Sequence, residues 1–445
     1  MDFLLGFAAF LAAMLCCLVR GWSIAWALGF AIALFTVLAL RRGFALRALA
    51  RMAWSKLPKS MIVLRVLFFI GILTGLWRSG GTIAFFIYYG IRVITPSLFV
   101  LVAFLLTVLL SYALGTSFGV TSTAGVVLIA LARSGGVSPA VAAGAILSGV
   151  YFGDRGAPTS SCASLVAALT ETDVYANVKR MARTALLPYA LTLGFYAALS
   201  LRNPITTVDD AMLRALSEGF RLSVWTALPA ALMLVLPLLK VPLRRAMALS
   251  GATAFVLSVA VQGVSVPEAL RVCVVGYQPE GVLAEVLTGG GLVSMLSSFI
   301  MIPLAAMLSG IMEGTGALEL AQEKLTALSD RIGRFPAMIV LSTLSAMMLC
   351  NQTIVVMMSH QLMGRVYEKD GAQHEELAMD IANSGVTIAG LVPWCIACSV
   401  PLSMLGVGAE ALPYAALLYL IPLCYLFTRR RFYPDTHKES EAAVK

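Results

Sequence analysis

Charge is what this sequence has least of. Charged residues fill 12% of its 445 positions and apolar ones 60%, a balance that excludes a soluble globular domain of this length. The short alternation of a membrane barrel strand is also missing. The chain is therefore expected to be an all-α polytopic membrane protein, because helices are the other architecture that satisfies its own backbone hydrogen bonds in lipid. Zinc spacing is absent too: Cys395 and Cys398 form a CxxC with no second Cys/His pair and no thioredoxin-like surroundings. The other six cysteines, Cys16, Cys17, Cys162, Cys273, Cys350 and Cys424, lie almost wholly in apolar stretches, so all eight read as small hydrophobes rather than a disulfide frame. No Gly-x-Ser-x-Gly or His-Glu-x-x-His occurs, and only Asp154 stands convincingly inside apolar surroundings, which leaves an intramembrane hydrolase without its second carboxylate. Neither an enzyme nor a resident cofactor is expected.

What the sequence has instead is a series of apolar runs near the length needed to cross a bilayer, about 20 residues. They cover 3–19, 22–40, 61–77, 95–113, 184–200, 222–239, 246–263, 292–312, 335–350 and 411–427. Met1-Asp2 gives no basic start and a second run follows at once, so the first is read as a retained helix rather than a secretory signal. The formal net charge of +9 comes from juxtamembrane segments and so reports topology, not nucleic-acid binding. Residues 41–60, Lys179–Arg183, Lys240–Arg245 and Arg429–Arg431 are placed on the cytoplasmic side, and the charge-balanced 201–221 and 264–281 outside. Both termini are then cytoplasmic, and a bacterial inner membrane is the expected location.

These assignments divide the chain into two N-terminal helices with a basic loop (1–60), a first block (61–200), connecting helices (201–281), a second block (282–427) and a cytoplasmic tail (428–445). The two blocks run in opposite directions and resemble each other at a shift of 235 residues. Gly75 and Gly81 fall on Gly310 and Gly316, Pro158 on Pro393, and Gly115-Thr116-Ser117 on Cys350-Asn351-Gln352, while Ser148-Gly149 falls one residue off Ser384-Gly385. An inverted repeat with interrupted helices is how secondary transporters build one central site. The interruptions are GTSFGVTSTAG (115–125), GDRGAPTSS (153–161), CNQT (350–353) and NSGVTIAGLVPW (383–394).

The candidate binding residues lie at these breaks. Asp154 is an acid at membrane depth, a costly placement that points to a cavity or ion pathway, and it is the candidate sodium ligand. The alternatives are a pair with Arg155 or a half-helix cap at the cytoplasmic surface. Thr116, Ser117, Thr121, Ser122 and Thr123 offer oxygens to a hard cation, or small residues for close helix packing. Asn351, Gln352 and Asn383 offer carboxamides to a cation, a substrate or a neighbouring helix. Asp380, one turn before Asn383, is the candidate second acid, unless it sits with the solvated HEEL run upstream. Arg78 and Glu313 read as solvated helix ends. A lone His360 reads as a packed polar residue or a proton carrier.

GTSFGVTSTAG, AGAILSGVYFGDRGAP (143–158), NSGVTIAGLVPW, LGV (405–407) and PYA (413–415) together resemble the NhaC-type sodium/proton antiporter family over about residues 60–427. The resemblance implies paired re-entrant hairpins, alternating access and sodium or proton as coupling ion, with sodium/proton antiport as the default activity. Typical members read GDKxSPLSDTTN at the first break and LEDSGT at the second. Here Ser161 stands where a second acid is expected, and Ala382 and Asn383 where an acidic pair is expected. Ser161 joins the candidate site on that ground. The missing acids favour the alternative, a sodium- or proton-coupled carrier of an amino acid or small carboxylate. The partners implied are a small ion or small-molecule substrate and the lipid bilayer, with a homodimer left open.

Overall fold

The computed structural model describes residues 2–93, 96–204, 210–239, 241–316, 328–369 and 372–433. Among them the regular structure is helical, with one isolated antiparallel bridge, Tyr277 to Gly289. Five helices are long and apolar enough to cross a membrane, or up to eight if each bent pair counts as one span. The chain is a multi-pass membrane protein.

Helix boundaries recur at the 235-residue shift seen in the sequence. Phe99–Leu114 matches Arg334–Leu349, and the half-helix Ser117–Ser134 matches Gln352–Lys369. The next helices begin at Pro139 and His374, and the short ones after the second break at Ser161 and Ile396. Left-handed residues keep the same shift: Gly81 and Gly316 (φ 79° and 64°), Gly115 and Cys350 (66° and 54°), Glu171 and Gly406 (53° and 63°). Helix starts on both sides of Ser384 hold the register. The one-residue gap placed there by the sequence comparison is therefore unnecessary.

The physical cause of each first break is a helix end followed at once by a new cap. Gly115 closes Phe99–Leu114 in the left-handed conformation, and Thr116 then caps the next half-helix by accepting from the Gly119 N–H at 3.3 Å. In the second repeat Cys350 takes the left-handed position and Asn351 caps, accepting from the Ile354 N–H at 3.3 Å. A cysteine tolerates a conformation that favours glycine because the break is held from outside: its carbonyl accepts from the Ile396 N–H at 2.9 Å. At Gly115 a Cβ would meet the Ser160 nitrogen at 2.7 Å, so glycine is required there.

Pro139–Gly156, the helix that carries Asp154, crosses Phe99–Leu114 with backbones almost touching. Gly149 and Gly153 make this approach possible, the small-xxx-small device of membrane helices. Ser111 exploits it. Its hydroxyl donates to the Gly149 carbonyl at 2.9 Å and accepts from the Gly153 N–H at 2.8 Å, entering the ladder one residue before Asp154. A methyl at Gly153 would run into the Ser111 backbone. Gly153→Ala is therefore expected to destabilise the protein by about 1–3 kcal/mol or more, read as a lowered thermal midpoint in detergent.

Packing bears on three sequence expectations. The basic 41–60 segment contains a helix, Leu46–Ser55, whose Met52 lies against Gly310 and Gly314 of Leu296–Gly314. Glu313 is an exposed helix end, as expected, and also pairs with Lys56 at 2.6 Å. Arg78 is buried, and its Nη1 donates to the Thr74 carbonyl at 2.9 Å just before a 63° bend between Val63–Ser79 and Thr82–Gly90.

Candidate functional site

Asp154 is 6% exposed and sits where the breaks of the two repeats meet. Its Oδ2 accepts from Gln352 Nε2 at 3.4 Å, and the carboxylate lies against the Ser117 backbone N–H. Ser117 and Gln352 are equivalent residues, each the first of its half-helix. The positive ends of both half-helices thus face one acid. The equivalent position in the second repeat is Ala389, so the charge is present once.

No cation among the described side chains is paired with this carboxylate. Arg155 is adjacent in sequence but projects elsewhere, as neighbouring residues on a helix do. Its Nη2 donates to Asn383 Oδ1 at 2.5 Å, to Thr184 Oγ1 at 3.0 Å and to the Met181 carbonyl at 3.2 Å. The pairing of Asp154 with Arg155 is excluded. Ser160 closes the loop behind the acid: its hydroxyl donates to the Asp154 main-chain carbonyl at 2.5 Å and accepts from the Cys162 N–H at 3.1 Å.

Oxygen donors around the breaks differ in how much they have left to give. The carboxamide nitrogen of Gln352 is used by Asp154 and by the Val386 carbonyl, 3.0 Å away, which leaves its oxygen available. Thr121, Ser122 and Thr123, at the start of the π turn Thr121–Gly125, spend their protons on the Ser117 and Gly119 carbonyls of the turn before, and keep lone pairs. Thr116 and Asn351 are committed as caps. Ser161, by contrast, is exposed as the first residue of its helix. The buried hydroxyl at that break is the neighbouring Ser160.

Asp380 and Asn383 do not join Asp154. Asp380 is fully buried, accepts from Tyr425 Oη at 2.9 Å and from Tyr367 Oη, and pairs with Arg429 Nη2 at 2.9 Å. Glu376, one turn earlier, accepts from Arg334 Nη2 at 2.8 Å and from Arg429 Nη2. Within the HEEL run Glu376 is thus buried while His374 is exposed, and Arg429 is not a free tail charge. Two acids and two arginines form a buried network across three helices. His360 lies two turns along from Gln352, on a cavity of about 220 Å³ shared with His374, Glu171 and Glu368.

The first repeat also reaches directly into the second. Tyr151, one turn before Asp154, donates to the Ala397 carbonyl at 2.7 Å, and a Cβ at Gly390 would meet its ring at 2.8 Å. The buried acid thus lies between two helix breaks and is braced by residues more than 190 positions away.

A sequence model of the Na+/H+ antiporter family matches residues 149–428, which include Asp154, Gln352 and, of the buried network, Arg334, Glu376 and Asp380. The chain belongs to the Na+/H+ antiporter family. Among its relatives, the malate-2H(+)/Na(+)-lactate antiporter of Bacillus subtilis (strain 168) is 27% identical over 80% of this chain and 78% of its own length. The Na(+)/H(+) antiporter NhaC of Alkalihalophilus pseudofirmus is 25% identical over 84% of both chains. The arginine/ornithine antiporter ArcD of Halobacterium salinarum is 26% identical over 84% of this chain and 80% of its own. This member of the family is therefore a membrane transporter and not an enzyme. Relatives at nearly equal identity are named for different cargoes, so the cargo must be argued from the site.

Proposed function

We propose that the protein is a secondary antiporter that exchanges sodium for protons by alternating access, with Asp154 as the residue both cations compete for. The observation that carries this reading is the buried Asp154 carboxylate, with no paired cation among the described side chains and flanked by Ser117 and Gln352 at the two helix breaks. One carboxylate cannot hold a proton and coordinate sodium at once, which makes the exchange obligatory. Ser117, Gln352 and the π-turn hydroxyls Thr121 and Ser122 are the further oxygen ligands in this reading. Asp380 is not a second coupling acid in this reading, because Arg429 already neutralises it and Tyr367 and Tyr425 donate hydrogen bonds to it.

The basic segments 41–60 and Lys179–Arg183 support cytoplasmic termini and an inner-membrane location, and the recurring helix boundaries support two inverted repeats over 61–200 and 282–427. The experiment is flux in proteoliposomes holding a pH dye. An imposed sodium gradient is expected to drive proton movement in the opposite direction. No proton movement in wild-type protein, with sodium entering alone, would refute exchange.

A further inference from the structure

The strongest unexplained feature is the charge on Arg155. This guanidinium is 2% exposed, and no carboxylate among the described residues pairs with it. Its partners are a carbonyl, a hydroxyl and the oxygen of Asn383, all neutral. Its Nε has no hydrogen-bond partner, and neither has the Nδ2 of Asn383, which is fully buried. Two orphaned donors therefore flank one short contact, Arg155 Nη2 to Asn383 Oδ1 at 2.5 Å. Buried donors without acceptors are rare in folded proteins, and a buried unpaired cation is costlier still.

Nearby acids do not supply the missing charge. Tyr425 faces Arg155, but its hydroxyl donates to Asp380, and Asp380 with Glu376 is already balanced by Arg429 and Arg334. Asp154, the remaining buried acid, directs its carboxylate to Gln352 and Ser117. While Asp154 is ionised, the adjacent charges compensate each other at a distance. Once sodium occupies Asp154, Arg155 is uncompensated.

We infer that Arg155 and Asn383 form a subsite for the carboxylate group of a small organic solute, carried together with the cation on Asp154. The inference rests on the reading of Asp154 as the coupling-ion site. A carboxylate accepts from the free Nε of Arg155 and from the Nδ2 of Asn383, and satisfies both orphaned donors with one group. It also restores neutrality in the sodium-loaded state, so cation and carboxylate bind cooperatively. Hydroxy acids and amino acids share this group.

The test is ligand binding by the purified full-length protein, followed as thermal stabilisation in sodium chloride and in choline chloride at equal ionic strength. The probes are lactate, malate and alanine, with lactamide as the uncharged control and sulfate as the anion control. At least one carboxylate is expected to bind saturably, roughly tenfold more tightly in sodium than in choline, and lactamide and sulfate are expected not to bind. Which probe binds separates hydroxy acid from amino acid.

Asn383→Asp places an acid on Arg155 and is expected to weaken carboxylate binding by about 100-fold while sodium still stabilises the variant. Arg155→Lys keeps the charge but loses the fork, and is expected to weaken binding about tenfold. If none of the carboxylates binds wild-type protein that sodium does stabilise, the subsite is wrong and the Asp154 reading stands. If sodium fails to stabilise wild-type protein, the Asp154 reading is wrong. Carboxylate binding unchanged in Asn383→Asp also overturns the subsite. Should that variant fail to fold, Arg155→Lys and the wild-type panel decide.

Discussion

Asp154→Asn is expected to reduce sodium-driven transport by roughly 100-fold or more, equivalent to about 3 kcal/mol of lost charge attraction, while leaving the protein folded. The two halves of this expectation have one cause. The carboxylate is buried with a glutamine and a backbone N–H for company and no cation among the described side chains, so any charge it holds is held against the cost of desolvation. An asparagine keeps the shape and an oxygen for Gln352 and removes that cost. In sodium-free buffer the thermal midpoint of the variant is therefore expected to equal or exceed that of wild type. Sodium should raise the wild-type midpoint and leave the variant's unchanged. A variant that is inactive because it is misfolded would show the opposite, a lowered midpoint in every buffer.

Arg429→Ala is expected to be the most damaging single change to stability, at about 3–5 kcal/mol, because it strips a cation from two buried acids at once. Arg431→Ala, two residues on and exposed, is expected to stay within about 0.5 kcal/mol. Thermal unfolding of the two variants side by side checks the contrast. Asp380→Asn is the informative third member. It takes one acid from Arg429 while the pair with Glu376 remains, so it should destabilise the protein yet preserve stabilisation by sodium. Loss of sodium stabilisation in folded Asp380→Asn would instead make Asp380 part of the ion site.

The repeat was readable from sequence because helix breaks make demands that few residues meet. A left-handed residue and a side-chain cap must follow one another, and glycine-threonine in one half and cysteine-asparagine in the other both do this. Asp154 was readable for a similar reason, since an isolated acid in an apolar stretch has few explanations. Partners far along the chain were not. Arg429 is followed by two more arginines, so counting charges near helix ends assigns all three to the cytoplasmic surface, although the first is paired with acids about 50 residues upstream. Glu376 was misplaced for the same reason. Ser160 and Ser161 differ by one position, and only the cap geometry shows which is buried. Arg155 was visible as a neighbour of Asp154, but its contact with Asn383, 228 residues away, belongs to the fold.

Equilibrium binding of radioactive sodium to purified protein tests the central claim most directly. Wild-type protein is expected to bind sodium saturably, with an apparent Kd that rises as pH falls, because a proton and sodium compete for one carboxylate. Asp154→Asn is expected to show no saturable binding at any pH. Sodium binding that survives in Asp154→Asn with an unchanged Kd would contradict the account, since the ion would then sit somewhere other than the junction of the two breaks.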